Sequence, residues 1–178
     1  MATRWGSQRR PKYSTTQGRV TTTRVTGNPD DVRALRGYVL TVSPESIQLI
    51  AQHAAAANKP FMMNLSAPFL SQFFKEPLMQ AMPYIDVLFG NETEALTFAK
   101  EQGFGTENIP EIAMKIAQLE KKNGERSRLV IITQGADPVI VGEGDSYTEY
   151  PTTPLKPEEI VDTNGAGDAF VGGNFVFV

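Results

Sequence analysis

YIDVLFGNETEALTFAKEQG, residues 84–103, decides the fold class of this chain. YIDVLFG is a short run of apolar and β-branched residues that reads as a strand, and NETEALTFAKEQG reads as a helix ending at Gly103, where a left-handed cap costs little. Asparagine at the helix start with glutamate three residues later, Asn91 and Glu94, has the spacing of a capping box. On spacing alone that structural role is favoured. Its rival is a carboxylate that orders a hydrated Mg²⁺ beside phosphates, and the two roles are compatible.

The same unit recurs on both sides. GYVLTV (37–42) reads as a strand followed by a helix that Ser43 and Pro44 open, with Ile47, Ile50, Ala51 and Ala54 on one face. FMMNLS (61–66) reads as a second strand, followed by a helical stretch from Phe69 to Met82 that Pro77 should kink or divide. IPEIAMKIAQLEKK carries Ile112, Ile116 and Leu119 on one stripe. RLVIITQG (128–135) is the strongest strand, apolar enough for burial on both faces. Weaker strands PVIVG and SYTEYP follow, split by a turn at EGD. Strand and helix alternating in this order predict an α/β fold with a parallel sheet and right-handed crossovers.

In such sheets ligands collect at the carboxyl ends of the strands. That rule selects NLS (Asn64, Ser66), GNETE (Asn91, Glu94), TQGAD (Thr133, Gly135) and DTNGAGD (162–168). In the last of these, Gly165 and Gly167 let a tight turn present bare N–H groups at the positive end of a helix, a ready anion site. A carboxylate there does not suit a phosphate ligand. Asp168 suits a general base that takes a proton from a hydroxyl lying between it and a bound phosphoryl group. The competing reading is an acidic residue that favours the helix dipole, with glycines serving packing. As bare fragments, T-x-G and N-x-S are more often only turns.

Composition closes off other chemistries. The 178 residues contain no cysteine, which removes disulfides, thiolate zinc sites and cysteine nucleophiles and fits a reducing compartment. The sole histidine, His53, rules out a His-based triad or a multi-histidine metal site, and its place on a helix gives it no expected role. No apolar run nears the roughly 20 residues a membrane helix needs, so a soluble chain is expected. The net charge of −3 hides an asymmetry: residues 1–29 carry Arg4, Arg9, Arg10, Lys12, Arg19 and Arg24 and no acid. A nucleic-acid arm, a mitochondrial presequence and a disordered tail all fit that composition, and the missing periodicity favours the tail. Aromatic residues form no stacking series, so nucleic-acid binding is not expected.

Together, GYVLTVSPES, FMMNLSAPF, YIDVLFGNETEA, FAKEQGF, ITQGADP and EEIVDTNGAGDAFVGG, in this order, resemble the ribokinase-like (PfkB-type) carbohydrate and nucleoside kinases. NLSAPF and FGNETEA resemble the adenosine-kinase branch more than the sugar kinases. The resemblance runs from about Gly37 to Gly173. It implies a Rossmann-type three-layer α/β/α fold with a mostly parallel sheet, and transfer of the ATP γ-phosphate to the 5′-hydroxyl of adenosine with Mg²⁺ required. By position it implies Asp168 as catalytic base and Gly165, Ala166 and Gly167 as anion hole. Asn164 would contact the ribose, Thr133, Gly135, Asn91 and Glu94 would lie on the ATP side, and Glu94 would hold Mg²⁺ through water. Adenosine and ATP are the implied partners, with no nucleic acid and no membrane. A monomer and a cytoplasmic location, with the nucleus as a second compartment, also follow from it.

The departures are equally specific. Residues 1–36 match nothing in the family and are expected as a basic tail, with 37–178 a partial kinase domain lacking the lid and the C-terminal helices. A truncated chain of that kind is expected to have little activity alone. A sugar kinase of the same fold and a catalytically silent nucleotide-binding fragment are the alternatives.

Overall fold

The computed structural model describes residues 23–24, 33–122, 126–153, 155–156, 158, 160 and 162–174. Most of the expected basic tail and the terminal 175–178 lie outside the described residues. Among the described residues seven strands form one sheet in sequential order: β1 (Thr23–Arg24), β2 (Arg33–Arg36), β3 (Phe61–Asn64), β4 (Val87–Asn91), β5 (Leu129–Gln134), β6 (Asp137–Glu143) and β7 (Ser146–Tyr150). β2 to β5 run parallel, β1 pairs antiparallel with β2, and β6 and β7 form antiparallel pairs beyond β5. The α/β class is as expected, and the sheet is mixed, with a parallel centre.

Two strand assignments move. The strand expected over 37–42 is instead Arg33–Arg36, so residues assigned to the tail join the sheet, and Gly37–Thr41 forms a 3₁₀ turn. Gly37 sits so close to the next strand end that a Cβ there would lie 2.6 Å from the Asn64 carbonyl. The chain must therefore turn away at that point, and strand geometry ends before the apolar YVL run, which the turn buries through Val39 and Leu40. The third expected strand starts later, at Val87, because Met82–Tyr84 forms a 3₁₀ turn.

The crossovers contain α1 (Pro44–Ala56), α2 (Pro68–Phe73), α3 (Lys75–Ala81), α4 (Glu92–Gln102) and α5 (Ile109–Ala117). The division expected around Pro77 occurs at Phe74, with Pro77 in the first turn of α3, where its missing N–H has no intrahelical task. All five helices pack on one sheet face: Ile47, Leu70, Leu78, Phe98, Ile112 and Ile116 meet Phe61, Met63, Leu88, Val130, Ile132 and Ile140. The alternate residues Met62, Val87, Phe89 and Ile131 point to the other face, where Phe170 and Val171 of α6 (Ala166–Asn174) cover them. This period-two division is why β3 to β5 are apolar throughout. It gives the three-layer arrangement. Among the described residues no helix is long and apolar enough to cross a membrane.

The amino ends of the strands are tied by a residue that composition alone would place outside. Arg128, 1% exposed, donates to the carbonyls of Met82, Ile85, Ile116, Leu119 and Glu120 at 2.7–3.1 Å. Its planar guanidinium carries five N–H donors, enough to serve the carbonyls at the end of α5 and of the 3₁₀ turn together. Burial lowers its pKa to about 10, with the neighbouring Asp86 opposing the shift, so it stays charged at neutral pH. Asp86 in turn accepts from the Phe61 N–H at 2.9 Å and pairs with Lys121.

Arg128→Met should lower the unfolding free energy in urea titrations by about 3 kcal/mol or more, since five carbonyls, three of them in buried hydrogen bonds, lose their donor. Ser71→Ala is the contrast, because the buried Ser71 hydroxyl has no partner among the described residues and its loss should be neutral or stabilising. Equal losses for the two variants would contradict the role given to Arg128.

Candidate functional site

The carboxyl ends of β3, β4 and β5 open on one cleft, with α6 on its far side. It holds about 320 Å³ of empty space open to solvent, lined by Asn64, Phe89, Gly90, Asn91, Glu94, Ile131, Thr133, Gly167, Phe170 and Val171. Register explains the grouping: Asn64 pairs with Phe89 across β3 and β4, and Asn91 with Thr133 across β4 and β5. The polar ends of three strands are thereby brought side by side above an apolar floor.

The β4–α4 corner is the most ordered part. The Asn91 Oδ1 accepts from the Glu94 N–H at 2.9 Å, and the Glu94 Oε2 accepts from the Asn91 N–H at 3.0 Å. The Asn91 Nδ2 donates to Glu94 Oε1 at 3.1 Å. The capping box expected from spacing is therefore formed, and the same carboxylate lines the cleft. Glu94 is 5% exposed, and its pKa is raised by burial, with the hydrogen bond from the Asn91 N–H opposing that shift. Gly90 leaves the space for this: a Cβ there would meet Leu65 Cδ1 at 3.1 Å and Glu94 Oε2 at 3.4 Å.

Thr133 lies in β5, its hydroxyl 3.5 Å from the Gly90 carbonyl, while Gly135 sits beyond it in the turn to β6 with φ +62° and does not line the cleft. The glycine segment precedes and starts α6. Gly165 takes φ +77°, the Asn164 N–H donates to Asp162 Oδ1 at 2.8 Å, and the Ala166 N–H donates to the Thr163 carbonyl at 3.2 Å. Gly167 reaches the cleft; Asn164, Gly165, Ala166 and Asp168 do not line it, and all five are exposed. Asp168 occupies the first turn of α6 next to Gly167. His53, in the last turn of α1, is exposed and away from the cleft.

The structure thus brings Asn64, Asn91, Glu94, Thr133 and Gly167 together and leaves Asp168 beside them. The floor residues Phe89, Ile131, Phe170 and Val171 are missed by the sequence reading, since the face Phe89 and Ile131 take is set by the strand register and α6 is brought over them only by folding. Among the described residues no group of three or more His, Cys, Asp or Glu could hold a metal ion. Glu94 is the sole carboxylate of the cleft lining, a donor set that fits an ion retaining most of its waters, as Mg²⁺ does, rather than a caged one.

A strand-end cleft of this kind, with a glycine turn at a helix start, lies where parallel α/β folds collect their ligands and where helix N-termini favour anions. The chain belongs to the pfkB family of carbohydrate kinases, whose model matches residues 28–176. It is 58% identical over 139 residues to adenosine kinase 2 of Arabidopsis thaliana, covering 78% of this chain and 40% of that one. Among solved structures it is similar to Anopheles gambiae adenosine kinase in complex with P1,P4-di(adenosine-5) tetraphosphate, with TM-score 0.78 and 56% identity over 80% of this chain and 42% of that one. Schistosoma mansoni adenosine kinase in complex with 2-fluoroadenosine matches with TM-score 0.74 and 36% identity, again over 80% of this chain and 42% of that one. The chain spans about 40% of the length of the curated relatives it matches.

Because burial raises the Glu94 pKa above 4.5, the folded chain holds that proton more tightly than the unfolded one. Its contribution to stability is present below 4.5 and is lost as pH rises from there through the folded-state pKa. Glu94→Gln, which keeps an acceptor for the Asn91 N–H, should flatten this part of the stability–pH curve measured by denaturant titration. Glu94→Ala should flatten it as well and, in addition, cost about 1 kcal/mol through loss of the cap.

Proposed function

We infer that this chain carries the phosphate-handling part of an adenosine kinase, which transfers the ATP γ-phosphoryl group to the 5′-hydroxyl of adenosine and yields AMP and ADP. The observation that carries the reading is the convergence of the Asn91–Glu94 cap, Thr133 and the first turn of α6 on one cleft, with Asp168 adjacent. Supporting it, the similar proteins are adenosine kinases, two of them bound to adenine nucleoside compounds.

In this reading the Asp168 carboxylate accepts the 5′-hydroxyl proton as the new O–P bond forms and the bond from the γ-phosphorus to the leaving ADP oxygen breaks. The turn at Gly165, Ala166 and Gly167 offers N–H groups and the positive end of α6 to the charge on the transferring group. The Ala166 N–H, which donates to the Thr163 carbonyl, must be released to take part. Asn164 lies one residue before the turn, placed for the ribose. Thr133 and Gly135 belong to the ATP side. Mg²⁺ would be held near Glu94 through water and would neutralise phosphate charge. The dication would also offset the burial that favours the protonated carboxyl.

The exposure of Asp168 and of the glycine turn bears on rate, since phosphoryl transfer depends on excluding water and on closure around the reacting groups. Incubated with ATP and Mg²⁺ against adenosine, ribose and fructose side by side, the purified chain should form at most traces of AMP and no sugar phosphate. Any such AMP formation should vanish in Asp168→Asn. Phosphorylation of a sugar instead, or AMP formation that survives Asp168→Asn, contradicts the reading.

A further inference from the structure

Asn64, at the carboxyl end of β3, lines the cleft and has no task in the phosphoryl-transfer scheme above. Two residues on, Ser66 holds a left-handed backbone at φ +64°, a conformation that costs a non-glycine residue about 1 kcal/mol or more. Three hydrogen bonds keep it there. The Ser66 N–H donates to Asn64 Oδ1 at 3.0 Å, the Ser66 Oγ donates to the Asn64 carbonyl at 3.1 Å, and the same Oγ accepts from the Gly37 N–H at 2.9 Å.

A backbone N–H can only donate, so the Asn64 atom it meets is the amide oxygen, and the NH₂ is fixed as the opposite end. Within the described residues, the hydrogen bonds of the Asn64 side chain and carbonyl use their oxygens only. Its unclaimed polar group is thus a two-proton donor whose orientation the left-handed Ser66 sets. Around the same cleft stands the first turn of α6 at Gly167, a further group that suits an anion. At Asn64 itself a cation would be repelled by the amide protons, whereas Glu94 on the same cleft is where the dication would sit.

We propose that the Asn64 side-chain amide is a donor to the polyphosphate chain of the bound nucleotide, and that Ser66 is the positioning residue that holds it in that orientation. This rests on reading the cleft as the phosphoryl-transfer site and adds a ligand contact to it.

The test uses the 178-residue chain labelled with ¹⁵N, titrated with tripolyphosphate, ATP and adenosine separately. Tripolyphosphate and ATP should shift the Asn64 NH₂ resonances saturably, and adenosine should not. Asn64→Asp keeps the oxygen that the Ser66 N–H needs and turns the donor into an anion; it should weaken tripolyphosphate binding by about tenfold or more at unchanged Tm. Ser66→Gly keeps the left-handed backbone but drops the hydroxyl, and should reduce the ligand-induced shift of the Asn64 NH₂, which a purely structural role would leave alone. Polyphosphate binding by the parent with an unmoved Asn64 NH₂ signal, or equal affinity in a folded Asn64→Asp, overturns the proposal and leaves the phosphate site standing. A signal moved by adenosine alone assigns Asn64 to the nucleoside and overturns it too. No binding of polyphosphate by the parent removes both the proposal and the reading beneath it. Should Asn64→Asp fail to fold, the NH₂ signal of the parent decides.

Discussion

The site depends on the parallel register of β3, β4 and β5. Because these strands point the same way and pair without slippage, Asn64, Asn91 and Thr133, which lie far apart in sequence, end on one edge of the sheet. A one-residue slip of β4 would exchange its two faces, turning Leu88 away from the helices and Phe89 toward them. The helical layer on one face and the Phe170–Val171 contact on the other make such a slip expensive. Sheet register is therefore what converts scattered polar residues into a cleft.

The two ends of the sheet are built on different physics. At the amino ends, Arg128 gathers carbonyls from the 3₁₀ turn and the end of α5, and Asp86 gathers a backbone N–H and a lysine, so these polar groups are satisfied internally. At the carboxyl ends polar groups face an open cleft, and Glu94 is held half by its cap and half against burial that favours its protonated form. The difference suits a sheet anchored at one end and chemically available at the other, the usual arrangement of parallel α/β folds.

Much of this was legible from local signals. The Asn91–Glu94 capping box, Gly103 as a left-handed cap and the helix start at Pro44 each depend on neighbours within one turn, and each is formed, though the Ser43 side chain does not cap α1; of the expected stripe, Ile112 and Ile116 lie in α5 and Leu119 beyond it. Longer-range facts were not legible. Gly37–Val42 has strand composition, but Gly37 abuts the Asn64 and Leu65 carbonyls, so the strand sits earlier, in residues that composition assigns to a tail. Arg128 reads only as the first residue of the strand RLVIITQG, and its role shows once folding brings the carbonyls it serves to it. The glycine segment before α6 was correctly tied to a helix start, yet only Gly167 of its residues reaches the cleft lining, since the turn at Gly165 carries the others outward.

The central claim is that these strand ends and the α6 turn form one anion site. Mapping backbone amide shifts of the chain on titration with a non-hydrolysable ATP analogue tests it most directly. The account predicts concerted, saturable shifts of Gly90, Asn91, Thr133, Gly165 and Gly167, with the amide of Arg128 at the opposite end unmoved. Shifts confined to the α6 turn while Gly90, Asn91 and Thr133 stay still, or shifts scattered over both ends of the sheet, would contradict it.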